Sequence, residues 1–325
     1  MNTRAEINKV QNCTSQEPAP GKQGTFGYLH PSYAESLAEF GTPRILPRCG
    51  GWVLQRQIPG FSCYDAMGCY PLFVCEDWSQ LNSDLKALEG ELVSLSLVTD
   101  PSGQYDSNLL HEIFDVARPF KEHFVADLGK PLDTLVSKHN RYYARRSLRS
   151  ISVERCEYPS EFIDEWADFY AVLTKRHNLG GIKAFSRAAF TKQLLIPGVV
   201  MFRALYQGAA IGAHLWYVQN DIGYSHLAAF NSVGYDLMAS YGLYWTAIEY
   251  FASNGIRWLN LGAGAGNKCE GEDGLSKFKR GWSTGTQTVY FCGRIFDHDR
   301  YAEIVKAKGI AATEYFPAYR IGEFA

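Results

Sequence analysis

Between Val199 and Trp282 the chain runs through one fixed order of elements. Three apolar runs read as strands over 199–206, 210–218 and 222–230, parted by the polar turns Gln207-Gly208 and Gln219-Asn-Asp221. A helix follows over Leu237–Ser253, with Asp236 as its expected cap, an apolar stripe of Leu237, Tyr241, Tyr244, Ile248 and Phe251, and Gly255 as its stop. Then come a strand over 256–261, the loop Gly262-Ala-Gly-Ala-Gly266 and the basic segment Gly274-Leu-Ser-Lys-Phe-Lys-Arg-Gly-Trp282. A meander of tight turns cannot build a doubly wound parallel sheet. The order predicts an α/β (α+β) fold with a mixed, mostly antiparallel sheet flanked by helices.

At 325 residues, 46% of them apolar, the chain can fill two cores. We expect a flexible tail over 1–24, an N-terminal domain over 25–149 and a C-terminal domain over 150–325. In the first half, strands are expected at Tyr70–Cys75 and Glu91–Val98, and helices at Trp78–Leu88 and Leu109–Val116. A basic helix over Thr134–Arg149 leads to a short strand over 151–155 and an amphipathic helix over 161–177. A helix over 187–195 and a last strand over 286–296 complete the reading.

The formal charge of −2 excludes a wholly basic nucleic-acid binder, so any polyanion must meet a local patch. Eight cysteines form no C-x-x-C pair, and neither H-E-x-x-H nor G-x-S-x-G occurs. Metal chemistry and a serine elbow are therefore not expected, and the cysteines read as small buried apolar residues in a reducing compartment. No run reaches the ~20 apolar residues of a membrane span, and the amino terminus lacks the apolar core of a secretory signal. The cytoplasm is the expected location.

Six features carry candidate chemistry. Strands 222–230 and 256–261 can splay and aim backbone N–H groups at a developing oxyanion. The loop over 262–266 has G-x-G-x-G spacing rather than the dinucleotide fingerprint, so Gly264 marks either a close backbone approach to substrate or a plain turn. Lys277, Lys279 and Arg280 can hold a phosphate or carboxylate, with Phe278 and Trp282 as apolar anchors and Gly281 in the turn. Arg141, Arg145 and Arg149 recur every four residues, as a diphosphate or RNA site or as a solvated helix face. His226 inside a strand can take the proton of an attacking amine or be structural. His177 ends a helix, where it can equally serve the helix dipole.

These segments, in this order, resemble Fem-type transferases of the GCN5-related N-acetyltransferase (GNAT) superfamily. The resemblance is carried by Ser137-Lys-His-Asn-Arg141 through Arg149-Ser-Ile-Ser-Val153, by Arg176-His-Asn-Leu-Gly-Gly181 and by Tyr224-Ser-His-Leu-Ala-Ala229. It continues through Gly255–Gly262, Gly274–Trp282 and Phe316-Pro-Ala-Tyr-Arg320. It covers about residues 130–320, and more loosely Tyr70-Pro-Leu-Phe and Leu97-Val-Thr-Asp-Pro101. The resemblance implies tandem GNAT-like domains and transfer of an acyl group from acyl-CoA, or of an amino acid from aminoacyl-tRNA. The acceptor it implies is an amine on a small molecule or on a sugar, peptide or cell-envelope precursor. It places Phe278, Lys279 and Gly281 on the family's Phe-Lys-x-Gly turn beside donor and acceptor, and makes Arg141 and Arg145 candidate phosphate ligands. The sequence departs from ordinary acetyltransferases before the helix at Leu237. There Asn231-Ser-Val-Gly-Tyr-Asp236 stands where those enzymes carry a glycine-rich pyrophosphate loop. A non-catalytic fold relative that binds a precursor or RNA is the other reading.

Overall fold

A computed structural model describes residues 25–265 and 273–323. The expected tail over 1–24 lies outside the described residues, as do Gly266 and the end of its loop. The strands are β1 (Thr42–Leu46), β2 (Gly51–Gln57), β3 (Tyr64–Gly68), β4 (Leu92–Val98), β5 (Val116–Asp127) and β6 (Ser152–Cys156). They continue with β7 (Val199–Tyr206), β8 (Ala209–Gln219), β9 (Ile222–Phe230), β10 (Trp258–Gly262) and β11 (Gly285–Ile295). All eleven join one sheet in the order β1-β2-β3-β4-β11-β5-β10-β9-β8-β7-β6.

The fold is the expected mixed, mostly antiparallel sheet with helices on both faces. Each half contains one parallel strand pair: β3 beside β4 in the first, β9 beside β10 in the second. The rest of the named pairings are antiparallel. The centre is made by β11 against β5, and these two pair outward with β4 and β10 respectively.

The chain ends cross over. β11 lies in the first half of the sheet, between β4 and β5. Conversely, Tyr28 packs on the second half, its backbone N–H donating to Gln219 Oε1 at 2.6 Å. Arg320 reaches back to the buried carboxylate of Asp65. Each half is thus completed by chain remote in sequence.

Helices cover the sheet according to strand alternation. Pro31–Ser36, Ile163–His177 and Arg187–Gln193 cover one face, packed around Tyr33, Trp166, Phe190 and Tyr217. Ala239–Ser253 covers the other over β7–β10, with Leu243, Ile248 and Phe251 against Phe202 and Trp216.

Several sequence expectations need correction. Tyr70–Cys75 contributes only an isolated bridge from Phe73 to Thr99, not a strand. The basic helix is broken: Leu132–Leu135 stops, and Ser137 caps a new helix over Lys138–Ser147 by accepting from the Asn140 N–H. Asp236 does not cap the long helix. It ends a short helix Ser232–Asp236 capped by Asn231, and Met238 in the left-handed region begins Ala239–Ser253. The basic segment is itself a helix, Gly274–Arg280, capped by Asp273. Among the described residues, five of the six cysteines are buried and all six are free.

Candidate functional site

Both parallel pairs open into cavities on the same face of the sheet. In the second half the β9–β10 register runs from Ile222/Trp258 to Tyr224/Asn260 and then stops, although β9 continues to Phe230. The two strands therefore part, and a cavity of about 240 Å³ lies at the fork. Alternation along the strands turns Tyr224 and His226 of β9, Asn260 and Gly262 of β10, and Lys121 and His123 of β5 towards it.

A larger cavity of about 640 Å³ adjoins the β3–β4 pair. It mixes apolar walls, including Met67, Leu97, Phe291 and Phe316, with the cations Arg56, Arg118 and Lys183. A bulge in β5 opposite Val289/Tyr290 keeps Arg118 on the face that carries Lys121. Tyr70, Pro71, Val98, Phe120 and Lys121 line both cavities, so the two are contiguous.

Lys279 is aimed into the fork by the helix that bears it. Phe278, its neighbour, packs edge-on against Tyr241 and Tyr244, and Trp282 is wholly buried beside them. With these rings fixed on the helix-covered side, Lys279 Nζ turns to the loop and donates to the Ala263 carbonyl at 2.7 Å. Burial, then the nearby Lys121 charge, lowers its pKa to about 7, against a smaller opposing pull from Asp273.

The loop over 262–265 is pinned to the same helix. Gly262 has φ +74°, and a Cβ on Gly264 would lie 2.0 Å from Ser276 Oγ and 2.6 Å from Asp273 Oδ2. Gly264 therefore serves a close approach between loop and helix, and it also lines the cavity.

β5 and β10 supply a second polar group that sequence reasoning missed. Asn260 Oδ1 accepts from the Gly262 N–H at 2.9 Å and lies 3.0 Å from His123 Nδ1. The Asn260 side chain is 3% exposed, and its Nδ2 has no partner among the described residues. Burial drives the His123 pKa down to about 4, and the Lys279 and Lys121 charges push the same way against the Asn260 hydrogen bond. The signals were an asparagine inside the apolar run Trp258-Leu-Asn-Leu261 and the polar alternation Lys121-Glu-His123.

His226 lines the fork but is engaged at both ring nitrogens. Nδ1 lies 3.0 Å from the Tyr28 hydroxyl and Nε2 3.4 Å from Gln193 Oε1. Tyr33, Phe185 and Tyr217 surround the ring, and burial lowers its pKa to about 3. A carbonyl oxygen only accepts, so Nε2 donates to Gln193 and Nδ1 accepts from Tyr28. This leaves His226 no free lone pair, which corrects its reading as proton acceptor.

The remaining expected site residues are scattered. Lys277 is exposed. Gly281 lets the helix Lys138–Ser147 dock: a Cβ there would lie 2.4 Å from Asn140 Nδ2, which donates to the Phe278 carbonyl at 3.0 Å. Arg141 donates to the Asp133 carbonyl at 2.5 Å, and Arg145 is exposed one turn on. His177 is exposed at the end of Ile163–His177 and lines neither cavity. Before the long helix, Gly234 lies so close to β8 that a Cβ would stand 2.2 Å from the Ile211 carbonyl. That turn is packed down on the sheet and offers no open glycine-rich loop. Among the described residues no cluster could hold a metal, and no helix is long and apolar enough to cross a membrane.

The fold is shared with known proteins. Residues 137–280 match the model of the acetyltransferase (GNAT) domain. A crystal structure of FemX aligns with a TM-score of 0.61 at 14% identity, covering 84% of this chain and 93% of that one. The C-terminal domain of an assigned lysylphosphatidylglycerol synthetase from Agrobacterium fabrum aligns at 0.57 and 14% identity, covering 84% and 90%. L-PGS from Bacillus licheniformis aligns at 0.52 and 14% identity, covering 82% and 93%. No curated protein matches the chain in sequence. The chain therefore carries a GNAT domain within a Fem-like fold, and that domain match supports an acyltransferase.

Proposed function

We propose that the chain moves an acyl group from an activated thioester, acyl-CoA, to an amine on a sugar, peptide or cell-envelope precursor. In this reading the bond is made where β9 and β10 part. The observation that carries it is the fork cavity, with Lys279 at its wall and a larger cavity continuous with it.

Past Tyr224 the β10-facing edge of β9 has no paired strand among the described residues. Backbone N–H groups along that edge are free to meet the donor carbonyl as it gains negative charge. Lys279, when protonated, adds a cation on the same side. The acceptor occupies the larger cavity, whose apolar walls take its carbon skeleton and whose Arg118 and Lys183 take an anionic group. Holding both partners in contiguous cavities makes the attack effectively intramolecular, a gain of up to ~7–11 kcal/mol in ideal geometry.

A second donor, aminoacyl-tRNA, is favoured by one arrangement. The helix Lys138–Ser147 touches the Lys279 helix through Asn140 and the Phe278 carbonyl, and it exposes Arg145, Arg146 and Tyr142. A polyanion lying along it would end beside the fork. The packed-down turn at Gly234 also leaves coenzyme A without its usual pyrophosphate loop.

Calorimetry with acetyl-CoA, free coenzyme A and aminoacyl-tRNA tests the donor. Micromolar thioester binding supports the first reading, and salt-sensitive tRNA binding without it supports the second. Binding of neither sinks both.

A further inference from the structure

We propose that His123 is the general base of the transfer, its free Nε2 taking the proton from the attacking amine. The inference rests on the transferase reading of the fork and adds to it the group that completes the proton balance.

Hydrogen bonding fixes the tautomer of His123. Asn260 Oδ1 already accepts the Gly262 N–H at 2.9 Å, which fixes that atom as the amide oxygen. The contact from His123 Nδ1 to the same oxygen, at 3.0 Å, is therefore a donated N–H. A neutral imidazole that donates from Nδ1 keeps a lone pair on Nε2. His123 lines the cavity, and no hydrogen bond to Nε2 is recorded among the described residues. Strand register makes the arrangement stiff. Asn260 pairs with Val125, and His123, two residues along β5, is its diagonal neighbour on the same face.

The alternatives at the fork are spent or of the wrong kind. His226 uses both nitrogens. Among the described residues no carboxylate lines the cavity. The charged groups facing His123 are Lys121 from its own strand and Lys279 from the helix beyond the loop. As cations these suit the oxyanion, and they keep the imidazole unprotonated in the empty cavity. An oxyanion forming beside Lys279 offsets their repulsion as the proton arrives.

The step balances. The amine nitrogen attacks the donor carbonyl carbon and the C–N bond forms. The nitrogen's proton passes to His123 Nε2, and the C–S bond of a thioester (or the C–O bond of an ester) breaks. His123 returns the proton to the departing thiolate or alkoxide and is neutral again.

Two measurements on the full chain test this. The first is ¹⁵N NMR of histidine-labelled protein at pH 6, with His123→Gln for assignment. A neutral ring with its proton on Nδ1 is expected; an imidazolium, or a proton on Nε2, overturns the proposal. The second is transfer from acetyl-CoA and from aminoacyl-tRNA to a set of amino sugars and a lysine-bearing peptide. His123→Gln should lower kcat on the order of 100-fold with KM nearly unchanged. Asn260→Leu should lower it less, and its ring should change tautomer by NMR. Divided by the neutral fraction of the acceptor amine, wild-type kcat/KM should fall as pH rises through about 7, because Lys279 acts as a cation; a corrected rate that instead rises there, and whose rise is lost in Lys279→Met, makes Lys279 the base and overturns His123. A wild type that transfers yet is matched by His123→Gln overturns this assignment alone. A wild type that transfers nothing overturns the transferase reading and this assignment together.

Discussion

Lys279 Nζ donates to the Ala263 carbonyl at 2.7 Å, tying the basic helix to the glycine-rich loop at the mouth of the strand fork. The contact joins two segments that stand close in sequence and holds a partly buried lysine beside a cavity. It also makes Lys279 a stability liability whose sign can be worked out.

The folded pKa of Lys279 is about 7, lowered by burial from the ordinary 10.5. Between those values the unfolded chain binds more protons than the folded one, so this group makes stability rise with pH across the window. Denaturant unfolding at pH 7 and pH 9.5 should show wild type gaining on the order of 1–2 kcal/mol relative to Lys279→Met. An identical pH dependence in both proteins would contradict the buried placement.

Asp100 behaves in the opposite sense. Burial raises its pKa to about 6, against hydrogen bonds from the Ser102 N–H and the Tyr224 hydroxyl, the latter 2.8 Å long. Its contribution to stability is full below about 3.8 and is lost as pH rises through 6. Tyr224→Phe removes a donor that matters most to the ionised carboxyl. We expect a loss of about 1.5–3 kcal/mol at pH 7 and a smaller loss at pH 4.5. Equal losses at both pH values would show that Asp100 is not the partner concerned.

Gly281→Ala places a methyl group against Asn140, whose Nδ2 would lie 2.4 Å from it. The backbone at Gly281 is ordinary, with φ −68°, so the effect is steric rather than conformational. Thermal unfolding should report a destabilisation of about 1–3 kcal/mol. Asn140→Ala in the same background should recover part of it by making room.

If aminoacyl-tRNA is the donor, Arg145→Ala with Arg146→Ala should weaken its binding and reduce the salt slope by about 1.4–1.8. Binding of acetyl-CoA in the same double variant should not change. An unchanged slope would remove this helix from the tRNA path.

Much of the second half was legible because its strands alternate cleanly and its turns carry Gln-Gly or Asn-Asp pairs. β7 and β9 begin and end where their patterns do. β5 was not legible: Pro119 interrupts it, and Lys121, Glu122 and His123 dilute its apolar signal. Nor could local pattern show β11 between β4 and β5, since that pairing joins segments about 160–200 residues apart. The same limit hid half of the site. Lys279 and Gly264 stand in a recognisable motif, whereas His123 reaches the fork only through register with Asn260. Trp282 illustrates the converse: beside three cations it reads as a ligand anchor, but it is 0% exposed and packs against Tyr244.

In the proposed function, acyl transfer takes place at the fork with Lys279 beside the reacting carbonyl. Its most direct test is single-turnover transfer from labelled acetyl-CoA and labelled aminoacyl-tRNA to the amine set, run on wild type and Lys279→Met at pH 6.5 with melting curves alongside. A rate loss of at least about 100-fold is expected in the variant, with no loss of stability. Equal rates in two equally folded proteins would contradict it.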